Sequence, residues 1–395
     1  MRRVLGALLF MALGLAGSAR AQGLTMQMSN GWSFSFAGNV NAFLAYQHLD
    51  STGAVASPGT AVGTFPTGTS RIRTGLLPAF ATFDAKGKEG SLNLGVHFGF
   101  APEIQCAGGV HDCTGAQMDM RQVFLTVGGS WGQILAGREL GVFGRQNILN
   151  DQTLFGIGAG GNPLGGGTTL GRIGFGYDYP NFISQVTYTS RSDRPAVLSV
   201  GVFDPSFNGP YTSLQIPRVE SEVTWSHQQH KFWVGGLVQS NKDPAGNSAT
   251  AFGLSGGVRL GFNQFSVVGS GFWGKGIGTT FLFQNGTGNH TATGGNDLRT
   301  TLGYIGQVAY TPRASKMTIA ASYGANVLKN AKDEQVGGAD VFHTQNALVS
   351  GGLYYQWTRS LKFVGELDYS WSKETVTNPK KNTSFSPAVG LMLFF

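Results

Sequence analysis

The charged residues that could act on a solute are concentrated in one long glycine-rich segment, residues 137–180. Three arginines and two of its acids stand out by type and spacing: Arg138, Arg145, Arg172, Glu139 and Asp151. Guanidinium groups keep their charge at physiological pH. Such a segment can therefore bind anions or set the electric field of a narrow aqueous passage. A loop of this length in a compact domain is usually functional or disordered.

The sequence on both sides of this segment alternates with a period of two residues. In residues 361–371, Leu367 and Tyr369 fall on one parity, and Glu366 and Asp368 fall on the other. Segments of about ten such residues, separated by turns, are typical of transmembrane β-barrel strands. We count 16 of them, with short turns at one rim and longer loops at the other. A soluble β-sandwich has too few strands to use them all. The sequence therefore predicts an all-β fold, a 16-stranded antiparallel transmembrane β-barrel.

A barrel of this size predicts a pore. Every backbone polar group in hydrocarbon needs an internal partner, so a spanning sheet has to close on itself. Sixteen strands enclose an aqueous channel, whereas eight would be filled by side chains. The long segment follows a clean strand and is predicted to fold into the lumen and narrow it. We call residues 139–180 the constriction loop.

The N-terminus predicts export. Residues 1–21 have two arginines, an apolar run over 4–16 and the sequence Ala19-Arg20-Ala21, which together are typical of a signal peptide with its cleavage site. The barrel domain is then expected to span residues 22–395. The net charge of +7 includes three arginines of the signal. The small remaining excess, without a clustered basic stripe, argues against nucleic-acid binding.

The chain contains two cysteines, Cys106 and Cys113. An even count in an exported protein favours a disulfide, here one that closes a small loop. The alternative is a metal site with His111 and Asp112, but it lacks further ligands at a suitable spacing. We expect no metal and no cofactor.

Residues 120–147, MRQVFLTVGGSWGQILAGRELGVFGRQN, resemble the stretch of Gram-negative general porins that leads into their constriction loop. The C-terminal Phe395, preceded by Val389, Leu391 and Leu393 at alternate positions, is similar to the terminal strand that the outer-membrane assembly machinery reads. The resemblance is nearest to porins of the β-proteobacterial type. It implies a homotrimer in the outer membrane of a Gram-negative bacterium, in contact with lipid and lipopolysaccharide, with Phe395 as assembly signal.

The family places basic residues on the barrel wall opposite acids on the loop. Arg121 and Arg138 match its two wall arginines, Arg73 is a weaker match, and Asp151 matches the first loop acid. Phe155 stands where the second acid is expected. The predicted pore constriction consists of five arginines and two acids: Arg73, Arg121, Arg138, Arg145, Arg172, Asp151 and Glu139. The excess of cations predicts a preference for anions.

The predicted function is passive diffusion of small hydrophilic solutes and ions through a water-filled channel, without an enzymatic step. One alternative keeps the barrel but makes it a substrate-specific anion channel, in which the loop arginines bind phosphate or carboxylates. A second is an outer-membrane barrel enzyme of the lipase or protease type. No Ser/His/Asp arrangement is recognisable in the sequence, although spacing alone does not exclude one.

Overall fold

The computed structural model describes most of the chain outside the N-terminus and several loops. The described ranges are 23–50, 68–106, 118–161, 165–209, 211–212, 216–287, 298–336, 339–340, 343–374 and 381–395. The predicted signal peptide and Cys113 lie outside them. Within these ranges, no helix is long and apolar enough to cross a membrane.

The described chain is almost entirely β-structure. In chain order the strands are β1 (Leu24–Gln27), β2 (Ser33–Asp50), β3 (Gly68–Arg73), β4 (Phe80–Glu89), β5 (Leu92–Pro102), β6 (Met118–Gly129), β7 (Gly132–Leu140), β8 (Phe182–Thr189), β9 (Ala196–Phe203), β10 (Arg218–His227), β11 (His230–Lys242), β12 (Ser248–Phe262), β13 (Phe265–Lys275), β14 (Thr300–Tyr310), β15 (Met317–Lys329), β16 (Gln335–Val336), β17 (Ala339–Asp340), β18 (His343–Gln356), β19 (Leu361–Glu374) and β20 (Lys381–Phe394). The helical elements are short: α1 (Arg145–Leu149) and the 3-10 turns Gln152–Phe155 and Lys332–Glu334.

Eighteen of these strands form one antiparallel sheet that closes on itself, because β2 pairs with β20 as well as with β3 and β4. Strands β3 and β4 are two parts of one spanning strand, and β1 is a short addition against the start of β2. The small hairpin β16–β17 is separate. The predicted barrel of 16 spanning antiparallel strands is therefore confirmed.

The break between β3 and β4 involves Pro78 and two side chains of the neighbouring strand β2. Pro78 has no N–H to donate to a neighbouring strand, so regular pairing stops there. The side chains of Asn39 and Asn41 on β2 donate instead to the carbonyl oxygens of Pro78 and Leu77, at 3.0 and 2.9 Å. The strand thus crosses the sheet without leaving these backbone groups unpaired.

The alternation in the sequence appears as two distinct faces of the barrel. On β2, Val40 and Leu44 are more than half exposed, whereas Asn39, Asn41 and Phe43 are buried. The same holds around the sheet, so the outward face is apolar and suits the hydrocarbon of a membrane. The inward side chains meet the constriction loop, and the main buried apolar cluster of the protein lies there, inside the barrel.

Candidate functional site: the constriction loop and the inner wall

The constriction loop leaves the wall after β7 and returns to it at β8, which begins at Phe182. Gly144 enters α1 with a φ of 74°, a left-handed conformation that glycine adopts at little cost. Asp151 begins the following 3-10 turn, and its side chain accepts the backbone N–H of Thr153 at 3.0 Å. These local contacts make the segment compact, and nearly all of its described residues are buried. The loop therefore lies inside the barrel, as predicted.

The first part of the loop is held by an acid of the wall. Glu220 on β10 accepts the backbone N–H groups of Val142 and Phe143, at 2.7 and 2.8 Å. Its second oxygen lies 2.8 Å from Arg218, and both of these charged side chains are buried. Hydrogen bonds to an ionised carboxylate are stronger than those between neutral groups. The two backbone hydrogen bonds to Glu220 therefore fix the point at which the loop turns inward.

A buried ion pair holds the middle of the loop together. Arg172 and Asp151 are fully buried, with their nearest charged atoms 3.6 Å apart. Tyr177 donates its hydroxyl to Asp151 at 3.0 Å, and Arg172 donates to the carbonyl oxygen of Leu348 at 2.9 Å and to Ser322. Burial raises the pKa of the Asp151 carboxyl, and the Arg172 guanidinium acts against that shift. The pair joins loop to wall, and its charges do not reach the aqueous lumen.

The tip of the loop lies against β19. Glu366 accepts the backbone N–H groups of Ile157 and Gly158, at 2.5 and 3.0 Å. Gly156 lies so close that a Cβ built there would come 2.1 Å from a carboxylate oxygen of Glu366. Only a residue without a side chain fits this approach.

Phe155, at the position where the family resemblance placed a second acid, contacts a cation of the wall. The ammonium of Lys362 lies 3.8 Å from the centre of its ring. That distance is typical of a cation–π interaction.

Arg73 is also buried and donates to the loop carbonyl oxygens of Gly160 and Thr168, at 3.0 and 3.4 Å. Lys362 and Arg73 thus both hold the loop against the barrel wall.

Arg138 is not brought to the loop, in contrast to the prediction. It lies opposite Val123 in the sheet, and Val123 is on the exposed, outward face. Long side chains near a strand end can carry a charge away from an apolar face, so the outward parity of Arg138 is tolerated.

Arg121 does reach the end of the loop. The register of β6 against β5 shifts by one residue between Asp119 and Gln122, so the parity of Val123 does not extend to Arg121. The side chain of Arg121 hydrogen-bonds that of Tyr179 in the loop. Its guanidinium also lies 2.6 Å from Asp119 and 5.8 Å from the centre of the Phe182 ring.

The other two predicted residues do face the lumen. Arg145 of α1 binds Glu222 at 3.0 Å and Ser199 at 2.9 Å. Glu139 on β7 accepts from Gln122 at 2.8 Å and from the backbone of Leu140 at 2.7 Å.

The sequence analysis missed two basic residues of the inner wall, Lys231 on β11 and Arg259 on β12. They lie directly opposite each other in the sheet, on the side of the buried Trp233 and Ser255. Both are partly exposed. Their parity relative to apolar neighbours such as Val234 and Leu254 could have revealed them.

Asp178 on the loop was also missed. Both of its carboxylate oxygens are buried without a hydrogen-bond partner among the described residues. Burial therefore raises the pKa of this carboxyl well above its usual value.

Two further predictions concern the ends of the chain and its cysteines. Cys106 is disulfide-bonded; its predicted partner, Cys113, is outside the described residues, so their pairing stays a prediction. Phe395 exchanges two backbone hydrogen bonds with Gly38. Among the described residues, no cluster of three or more His, Cys, Asp or Glu side chains could hold a metal ion.

Together, the closed sheet, its apolar outer face and the loop packed inside the lumen define a transmembrane β-barrel channel. The sequence profile of the Gram-negative porins matches residues 7–375. The chain belongs to that family. It is accordingly an outer-membrane channel for passive diffusion of small hydrophilic solutes.

Solved structures show the same fold at low sequence identity. The outer-membrane channel DcaP of Acinetobacter baumannii has 13% identity and a TM-score of 0.69, over 94% of this chain and 99% of that one. The anion-selective porin from Comamonas acidovorans has 13% identity and a TM-score of 0.63, over 92% and 100%. OmpF of Salmonella typhi, solved with daunomycin, has 12% identity and a TM-score of 0.58, over 94% and 100%. No curated protein sequence matches the chain.

Proposed function

We propose that this porin prefers anions. On the spanning strands, the accessible charged side chains that face the lumen include four cations and two acids: Arg71, Lys86, Lys231, Arg259, Asp84 and Glu139. Asp119 on β6 is accessible as well, and its charge is balanced by Arg121 at 2.6 Å. Lys86 lies 3.9 Å from Asp84 and is in part balanced by it. The similar fold of an anion-selective porin agrees with this excess of positive charge.

The observation that carries the proposal is the pair formed by Lys231 and Arg259 across β11 and β12. Like charges directly opposite each other destabilise a sheet, so their presence needs a compensating role in the lumen. By contrast, two of the deeply buried arginines have acids beside them, Asp151 for Arg172 and Glu220 for Arg218, and the buried Arg73 donates to loop carbonyl oxygens. The accessible side chains of the described wall therefore produce a positive electrostatic potential in the lumen.

The test is the zero-current potential of the purified channel in a planar bilayer with a KCl gradient. We expect the sign that corresponds to chloride preference. The preference should weaken as the salt concentration rises, because the screening length falls from about 10 Å at 0.1 M to about 3 Å at 1 M. A potassium preference at low salt would contradict the proposal, and a preference independent of salt would contradict its electrostatic cause.

We also propose that the channel is a homotrimer. Three barrels packed side by side would cover part of the apolar outer face, on which side chains such as Val40, Leu44 and Ile72 are exposed in a single chain. The remaining outer face would contact lipid and lipopolysaccharide. Chemical cross-linking in native outer membranes should give dimers and trimers of the chain; a monomer as the largest product would contradict the assembly.

A further inference from the structure

The structure assigns an anion-binding site to the inner wall, formed by Lys231, Arg259 and Arg145 near the rim of short turns. It rests on the proposed anion preference and names a place where a small oxyanion with two or more negative charges would bind. Sulfate and inorganic phosphate are ligands of this class.

Positive charge exceeds negative charge around Lys231. Glu222, Arg259 and Arg145 are the charged groups that act on the Lys231 ammonium. Glu222 is the one acid among them, and it is almost fully buried. Its Oε1 already accepts from Arg145 and from Gln146, each at 3.0 Å. Lys231 thus has two other cations near it and a single acid that is already bound.

The two wall cations differ in their hydrogen-bond partners. Lys231 donates at 2.5 Å to Oε1 of Gln146, which is a neutral amide. Arg259 has no hydrogen bond or ion pair among the residues that the structure describes, and Lys231 is the residue opposite it on β11. A guanidinium presents five donors in a planar fork that suits oxyanions. Arg259 therefore leaves donors available for a ligand.

The two wall cations of this site are accessible from the lumen. Lys231 follows the turn at residues 228–229, and Arg259 precedes the turn at 263–264. Short turns of such barrels lie at the periplasmic rim. Both side chains are partly exposed on the inward face, so an ion that passes the constriction loop reaches them from the aqueous lumen. The site extends from Arg145 of the loop toward the periplasmic rim.

The experiment measures block of the potassium chloride current by added sulfate, with nitrate as a monovalent comparison, in planar bilayers at about 0.1 M salt. In the native channel, sulfate should lower the current with a saturating dependence, and nitrate should not. Lys231→Gln or Arg259→Gln should raise the half-blocking sulfate concentration roughly tenfold or more, because each removes a charged hydrogen bond to the ion. Arg259→Lys, which keeps the charge, should restore part of the block.

The matched control is Lys86→Gln, which removes one lumen cation near the same rim on the opposite wall. It should leave the sulfate block unchanged. An equal loss of sulfate block in Lys86→Gln and Arg259→Gln would show that the block comes from the overall positive charge of the lumen, and it would overturn the site. Correct folding of each variant is checked by its heat-modifiable gel mobility.

The two proposals fail separately. If the native channel prefers chloride but the Lys231→Gln/Arg259→Gln variant is blocked by sulfate as the native channel is, the site is wrong and the anion preference stands. If sulfate block depends on these residues while the KCl potential shows potassium preference, the proposed function is wrong and the site stands.

Discussion

At the scale of single residues, burial decides what each arginine of this porin does. Arg172 is fully buried against Asp151 and a wall carbonyl group, so it holds the loop. Arg259 is partly exposed and has no charged partner among the described residues, so it acts on the aqueous lumen. The same guanidinium group thus serves structure in one place and ion selection in another.

The buried pair gives the first prediction. Arg172→Met should lower the free energy of unfolding by about 3 kcal/mol or more, because it leaves the Asp151 carboxylate buried without its partner. The double variant Arg172→Met/Asp151→Asn should recover a large part of that loss, since no uncompensated charge remains. Urea unfolding in detergent micelles measures both. A single variant as stable as the native protein would contradict the role of the pair.

The second prediction concerns the outward Arg138. Replacing Arg138 by Ser should leave the zero-current potential in a KCl gradient unchanged, because its side chain lies on the outward side of β7. Arg259→Gln, which removes one charge from the lumen, should shift the same potential toward potassium. A comparable shift in the Arg138→Ser variant would return Arg138 to the pore.

Arg138 shows how far the sequence could lead. The family motif placed it in the constriction, but it lies opposite the exposed Val123, on the outward face. Motif similarity follows ancestry, whereas the direction of a side chain follows the period of two residues along the strand. Arg145, Arg172 and Asp151 belong to the loop, but which wall residues they would meet depends on contacts between residues far apart in the sequence.

At the scale of elements, the constriction loop is held by carboxylates of the wall that accept its backbone N–H groups. Glu220 holds its start and Glu366 holds its tip. The strand count could be predicted because alternation is a local property of each strand. The break at Pro78 and the start of β8 at Phe182 could not, because they depend on Asn39 and Asn41 of another strand and on the packing of the loop inside the barrel.

The loop anchor gives the third prediction. Gly156→Ala should push the tip of the loop away from Glu366, since the new methyl group would overlap the carboxylate. The loop would then move into the lumen, and we expect a lower single-channel conductance with larger current noise. Gly365→Ala on β19 is the control, because a Cβ there meets nothing within 4 Å. Equal conductance and noise in the two variants would refute the anchoring role of this contact.

At the scale of the whole molecule, Phe395 extends the pairing of β2 with β20 that closes the barrel. The backbone N–H of Phe395 donates to Gly38 at 3.0 Å, and Gly38 donates back at 2.9 Å. The rings of Phe395 and Phe36 lie 5.1 Å apart. Closure leaves no free strand edge in the hydrocarbon, so this residue has a structural role in addition to its proposed role as an assembly signal.

The fourth prediction separates these two roles. Deletion of Phe395 removes both backbone hydrogen bonds, whereas Phe395→Ala keeps them and removes only the ring. After refolding in detergent micelles, where no assembly machinery is present, the deletion should lower the temperature of unfolding more than Phe395→Ala does. In cells, Phe395→Ala should already reduce the amount of folded channel in the outer membrane if the ring is read during assembly. A variant that refolds well in micelles and also reaches native amounts in cells would limit Phe395 to closing the barrel.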